Sequence, residues 1–168
     1  MESIATLSNR LSIALNASTI SEIDISRLLQ NGADFKHLEA WHNYYPREAT
    51  GLDLDWFDKK NRWLQAAGFS VMAFIPGNSI LRGPVFATLP TLEKHRFASP
   101  FSAAVELTQL HVDDIYLGDP GVTYKTLTQF ACLQKEQCIL IRARLKSNAP
   151  KYLSEVFHQR CLLYTSPS

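Results

Sequence analysis

Nothing in this sequence is built to cross a bilayer: no apolar run approaches the ~18 residues that such a span needs. Glu2 and Arg10 interrupt the region where the apolar core of a secretory signal would lie. Cysteine is scarce, with Cys132, Cys138 and Cys161 as the whole set. They form no CxxC pair and have no histidine at metal-ligand spacing, so simple buried thiols in a reducing, cytoplasmic compartment are expected. No basic block recurs, and 17 basic side chains against 16 acidic ones give a net charge of +1. That balance lacks the electrostatic footprint of a nucleic-acid partner. Neither a GxGxxG nor a GxxxxGK[ST] string is present and no metal-ligand cluster is visible, so the expected cofactor set is none.

What the sequence does hold is an ordinary globular composition over 168 residues, 46% hydrophobic and 20% charged, which suits one domain. Residues 1–10 are short and polar, and residues 12–18 read as a strand. Thr19 or Ser21 then caps a helix with Glu22 or Asp24 in its first turn, and Asn31-Gly32 closes it. A second strand runs over residues 36–43. Asp53 starts a helix through Trp56, Phe57, Trp63 and Leu64 that Gly68 ends. Residues 69–75 are almost continuously apolar, as in a parallel strand covered on both faces. Helices at 100–110 and 122–133 alternate with strands at 114–118 and 138–145. Strand–helix units repeating every roughly 30 residues call for a parallel α/β sheet with right-handed crossovers. Residues 77–99 break this rhythm. A connection longer than the usual ~12–15 residues is functional or disordered, and prolines and apolar residues interleaved with charges favour an ordered lid over a solvated excursion.

The run Leu38-Glu39-Ala40-Trp41-His42-Asn43-Tyr44-Tyr45-Pro46-Arg47 stands out. It opens with strand-like alternation and ends as a crowd of polar and aromatic groups stopped by proline. Such density at the carboxyl end of a strand is how α/β enzymes build sites on a rigid scaffold, although a strand followed by a surface turn uses the same residues.

Several collinear segments then resemble one family. They include Asn16-Ala17-Ser18-Thr19, Asn31-Gly32-Ala33-Asp34, His42-Asn43-Tyr44-Tyr45-Pro46-Arg47, Thr50-Gly51-Leu52 and Ala73-Phe74-Ile75-Pro76-Gly77. Leu81-Arg82-Gly83-Pro84, Leu89-Pro90-Thr91-Leu92-Glu93-Lys94-His95-Arg96, Gly118-Asp119-Pro120-Gly121 and His158-Gln159-Arg160 continue the series. Over residues 10–160 the chain resembles the bacterial 6-phospho-N-acetylmuramidases. The resemblance implies a TIM-like (β/α)8 barrel followed by a small cyclophilin-like domain. It also implies an intracellular glycosidase that cleaves a 6-phosphorylated MurNAc–GlcNAc disaccharide during cell-wall recycling. It places residues 1–160 within the barrel, from near its third strand to its seventh, which is five strand–helix units where a barrel needs eight. The remaining strands and the cyclophilin-like domain are expected in the full-length protein. Residues 161–168 continue no earlier pattern and read as a non-native or unstructured tail.

Glycoside hydrolysis uses two carboxyl groups, ~5–5.5 Å apart for retention or ~6.5–9.5 Å for inversion. Glu39 and Asp119, near the ends of two strands, are the best-placed pair, with one strand between them. A turn-capping Asp119 and a structurally paired Glu39 are the plainer uses of the same residues. Arg142 and Arg144 share one strand face and suit a lactyl carboxylate or phosphate, or else neutralise Glu39 and Asp119. Asn16 is placed for a sugar hydroxyl or a helix cap. His42, Asn43, Tyr45 and Arg47 are candidate substrate contacts, and Tyr44, Tyr45 and Trp41 are candidates for stacking on a pyranose or for packing. Arg82, Glu93, His95 and Arg96 lie on the long loop as candidates to close over ligand, and His158 and Arg160 match the family string. The expected partner is a phosphorylated amino-sugar disaccharide, with no nucleic acid and no membrane. A phosphosugar isomerase or lyase using Glu39 as base, a non-catalytic sugar-phosphate-binding barrel, and an inactive fragment are the competing readings.

Overall fold

Parallel strands cannot be joined by a tight turn, so each pair needs a crossover segment, usually a helix. A computed structural model, which describes residues 1–141, 146–148 and 150, shows that arrangement. Strands β1 (Ile13–Asn16), β2 (Leu38–Trp41), β3 (Ser70–Ile75) and β4 (Asp114–Leu117) form one parallel sheet in the order β1-β2-β3-β4. Helices α2 (Glu22–Gln30), α3 (Leu54–Ala66) and α4 (Pro100–Gln109) make the crossovers, and α5 (Tyr124–Glu136) follows β4.

Local chemistry sets the helix ends. Ser21 caps α2 in a reciprocal box with Asp24, and Asn31 ends it before Gly32, whose φ of 69° suits a residue without Cβ. The Asp53 carboxylate accepts from the Trp56 amide to start α3, and Pro100 occupies the first turn of α4, where its missing N–H is no loss. Along α3, Phe57, Asn61 and Leu64 follow one another at helical spacing and are fully buried.

Residues on a strand alternate between faces, and here the two faces differ. Ile13, Leu15, Leu38, Ala40, Val71, Ala73, Ile75 and Ile115 share one parity and pack with Leu28 of α2, Phe57 and Leu64 of α3 and Leu107 of α4. The opposite parity carries Ala14, Asn16, Glu39, Trp41, Ser70, Met72, Phe74, Asp114 and Tyr116. No helix among the described residues covers this second face: Asn16, Asp114 and Tyr116 are exposed, Glu39, Trp41 and Phe74 are half-buried, and Met72 is buried. The expectation that residues 69–75 are covered on both faces therefore holds on the helix side and only in part on the other.

Two sequence expectations change. Residues 1–10 contain a helix, α1 (Glu2–Ser8), which buries Ala5 and Ser8. Its docking is polar as well as apolar, because Ser8 Oγ accepts from the Asp34 amide and the His37 ring pairs with the Ser8 carbonyl. A buried serine is invisible to a search for apolar periodicity. The fifth expected strand, residues 138–145, has no strand in its described part, 138–141, where Gln129 instead donates to the Leu140 carbonyl. The rest of that strand, with Arg142 and Arg144, lies outside the described residues, as do His158, Arg160 and the expected tail over 161–168.

The packing makes a test. Replacing the fully buried Leu64 by alanine will cost about 3 kcal/mol, read as a lower urea midpoint with an unchanged slope. Leu29→Ala, at a side chain 61% exposed, will stay within about 0.5 kcal/mol.

Candidate functional site

The loops after β2 and β3 converge at the carboxyl ends of the strands, and one ion pair ties them together. Arg96 is 8% exposed and uses all five guanidinium N–H donors. Its Nε and Nη2 donate to Glu93 at 2.7 and 2.8 Å, Nη2 also to the Tyr45 carbonyl, and Nη1 to the carbonyls of Ala87 and Thr88. Glu93 in turn accepts from the Ala49 and Gly51 amides at 2.9 and 2.8 Å. Hydrogen bonding from Arg96, reinforced by the two amides, lowers the Glu93 carboxyl to a pKa of about 2. Thr91 adds a second tie, its hydroxyl accepting from the Phe74 amide and donating to the Asn43 carbonyl. Residues 77–99 are thus an ordered loop, with Leu89, Pro90, Thr91, Leu92, His95 and Arg96 buried. Glu93 and Arg96 are its internal anchors.

Asp119 is a third anchor. It is 3% exposed, and its carboxylate accepts from the amides of Gly77, Arg82 and Leu89 at 2.8, 3.0 and 3.0 Å. The turn is so close that a Cβ on Gly77 would lie 2.5 Å from that of Asp119. With three backbone donors already on its oxygens, Asp119 shapes the loop that carries Arg82.

The two candidate histidines among the described residues, His42 and His95, are core residues. His42 has the parity of Leu38 and Ala40, so it enters the helix-packed side, where its Nε2 meets Asn61 Oδ1 at 2.7 Å. Burial lowers its pKa to about 4. The neutral ring donates from Nε2, since the Asn61 amide group is itself donating to the Leu110 carbonyl, which leaves Nδ1 buried without a partner. His95 is 2% exposed and bonds Glu106 at 2.8 Å, with Lys94 on the other carboxylate oxygen. Burial lowers its pKa against the opposing pull of Glu106.

The open face holds the groups available to a ligand. Glu39 accepts from the Trp41 indole N–H at 2.8 Å. Trp41 lies 4.7 Å from Tyr116 and 5.9 Å from Phe74 between ring centroids, and Phe74 lies 5.3 Å from Tyr44. The exposed Arg82 guanidinium sits 5.7 Å from the Tyr44 ring centroid and donates to its hydroxyl at 3.3 Å. Asn16 is exposed on the same face, with its Oδ1 accepting from the Ser18 amide. Asn43, Tyr45 and Arg47 occupy the loop after β2. Asn43 and Arg47 are exposed there, and Tyr45 is half-buried with its backbone held by Pro90 and Arg96. Asp114, Phe74 and Tyr116 escaped sequence analysis. Strand parity counted from Glu39 through the pairings Trp41↔Met72↔Asp114 would have found them, but it needs the register.

Two cavities of about 710 and 840 Å³ flank α4. The larger one is lined by Ile75, Ile115 and Leu117, from the helix side of the sheet, and neither cavity contains Glu39. Among the described residues no group of three or more His, Cys, Asp or Glu is placed to hold a metal, and no helix is long and apolar enough to cross a membrane.

Residues 1–132 match the profile of the N-terminal domain of 6-phospho-N-acetylmuramidases. The chain belongs to that family. A crystal structure of a conserved Enterococcus faecalis protein of unknown function superposes with a TM-score of 0.86 at 44% identity, over 92% of this chain and 44% of that one. An uncharacterized B. cereus protein gives 0.65 at 29% identity, over 73% of this chain and 37% of that one. The phosphomuramidase-family chain thus spans less than half the length of either. A comparison with curated proteins finds no match.

The anchors can be probed by pH. Because the folded-state pKa of Glu93 is depressed from 4.5 to about 2, its contribution is complete above the unfolded value and disappears as pH falls through that window. Glu93→Gln will lower stability by about 2 kcal/mol at pH 7, since the Arg96 charge loses its partner. The gap from the parent chain will narrow between pH 4.5 and 2, as read by urea midpoints at each pH. Asp119→Asn will also cost about 2 kcal/mol, by leaving buried amides without an acceptor.

Proposed function

We propose that the chain forms part of a TIM-like (β/α)8-barrel glycosidase. In this reading it hydrolyses a 6-phosphorylated N-acetylmuramyl–GlcNAc disaccharide in peptidoglycan recycling in the cytoplasm. Family membership supports the substrate class. A parallel sheet whose strand order follows the chain order, with its core on one face, supports the barrel. The observation that carries the reading is the face shared by Glu39 and the aromatic rings: the carboxylate accepts from Trp41, and Trp41, Phe74 and Tyr116 stand at or next to the carboxyl ends of their strands, where barrel enzymes place their sites.

In this reading Glu39 is one of the two carboxyl groups that glycoside hydrolysis needs. Asp114 shares its face, level with Trp41, two residues along and two strands away. From strand spacing and rise, their backbones lie roughly 12 Å apart, so side chains leaning inward bring the carboxyl groups closer. Asp119 positions the loop. Arg82 supplies the positive charge that a phosphate or lactyl carboxylate requires.

The test is release of GlcNAc from MurNAc-6-phosphate–GlcNAc beside the unphosphorylated disaccharide. The phosphorylated substrate alone will be cleaved. Glu39→Gln will reduce turnover by at least about 10²-fold with stability unchanged. Full hydrolysis by that variant would remove Glu39 from the mechanism, and equal cleavage of both disaccharides would remove the phosphate from the specificity.

A further inference from the structure

The aromatic side chains on the uncovered face form a continuous strip across three strands. Trp41 on β2 reaches past Met72 of β3 to Tyr116 on β4, at 4.7 Å with planes 30° apart. Phe74 sits beside both, 5.9 Å from Trp41 and 6.1 Å from Tyr116, and Tyr44 stands edge-on to Phe74 with planes at 85°. The rings stand at or next to the carboxyl ends of their strands, the level at which a barrel opens to ligand rather than packing its interior. Tyr116 is 41% exposed and Tyr44 36%, while the helix-side residues Val71 and Ala73 are fully buried.

One end of the strip is charged. Arg82 lies over Tyr44 with its guanidinium exposed, and its backbone is pinned by Asp119 at 3.0 Å, so the cation has a defined place relative to the rings. The middle of the strip holds a carboxylate, since Trp41 donates to Glu39. An aromatic cluster with a cation at one end and a hydrogen-bonding carboxylate beside it is complementary to a pyranose ring, whose C–H face is apolar and whose edge is polar.

We propose that the cluster of Trp41, Phe74 and Tyr116 offers the aromatic face on which one pyranose ring stacks, and that Arg82, carried on Tyr44, takes an anionic substituent of that ring. The assignment rests on the glycosidase reading for its substrate class, and it adds which side chains hold the sugar and which one selects the charged form. Trp41 has a second task as a positioning residue, because the indole that stacks on the ring also orients Glu39.

The experiment is a pair of titrations on the 168-residue chain, with MurNAc-6-phosphate and with unphosphorylated MurNAc, followed by intrinsic tryptophan fluorescence and by calorimetry. The parent chain will bind the phosphorylated sugar more tightly, with a change in tryptophan emission. Trp41→Phe will abolish that emission change, although Trp56 and Trp63 remain. It will also lower kcat more than it raises KM, because the phenyl ring still stacks but no longer donates to Glu39. Tyr116→Leu will weaken both sugars about 5–10-fold, as expected for loss of a stacking partner. Arg82→Ala will weaken only the phosphorylated sugar and so erase the preference, and Arg82→Lys will restore part of it.

Absence of binding by the folded parent chain would overturn the proposal. So would an emission change that survives Trp41→Phe with unaltered affinity in Tyr116→Leu, or an Arg82→Ala variant that weakens both sugars equally. Hydrolysis with unaltered binding in these variants would reduce the strip to packing and leave the glycosidase reading in place. Strip-dependent binding without hydrolysis would do the reverse.

Discussion

The Glu93–Arg96 pair is the contact on which the upper end of this sheet depends. A loop as long as residues 76–99 has many backbone groups that no strand or helix satisfies, and burying them unpaired is costly. Arg96 uses every donor it has on three carbonyls, those of Tyr45, Ala87 and Thr88, and on both oxygens of Glu93, while Glu93 covers amides from the neighbouring loop. The pair therefore does for two irregular segments what a ladder does for strands. With Asp119 holding three more amides, the loop is tied along its length, and Arg82 meets Tyr44 at its edge.

The second constraint is parity. A strand cannot offer the same face twice in succession, so a sheet that gives Leu38, Ala40, Val71, Ala73 and Ile75 to the helices must give Glu39, Trp41, Met72 and Phe74 to the other side. The division separates the helix-packed core from the face that carries Glu39 and the aromatic rings. His42 falls on the helix side and becomes a neutral, buried partner of Asn61, whereas Trp41, one residue earlier, faces Glu39 and Tyr116. Two adjacent residues of one polar, aromatic string thus have unrelated roles, a division that composition does not reveal.

Much of the framework was legible because its signals are local. The Ser21–Asp24 box, the Asp53 cap, Pro100 at the head of α4 and the apolar run of β3 all act within a few residues. The family string His42-Asn43-Tyr44-Tyr45-Pro46-Arg47 was legible for the same reason. The helix α1 gives little apolar signal because it is short and a buried serine shares its docking with Ile4 and Ala5. Residues 138–141 were read as strand because apolar β-branched residues fit that pattern, while a strand also needs a paired neighbour, which those residues lack in the described sheet.

By itself the sequence determined the alternation of strand and helix, the helix ends, the family and the order of the loops, since each follows from neighbours a few positions apart. Only the tertiary structure decided what the functional-looking residues do. Glu93 meets Gly51 across 42 positions, Asp119 meets Gly77 across 42, and Arg96 meets Tyr45 across 51. Trp41 meets Tyr116 only because β3 spaces β2 and β4 at the right register. Strand register and loop closure bring those atoms together, and neither is encoded in any short string. A carboxylate in or just after a strand therefore reads alike in sequence, whether it holds three amides, as Asp119 does, or faces the open sheet, as Glu39 does.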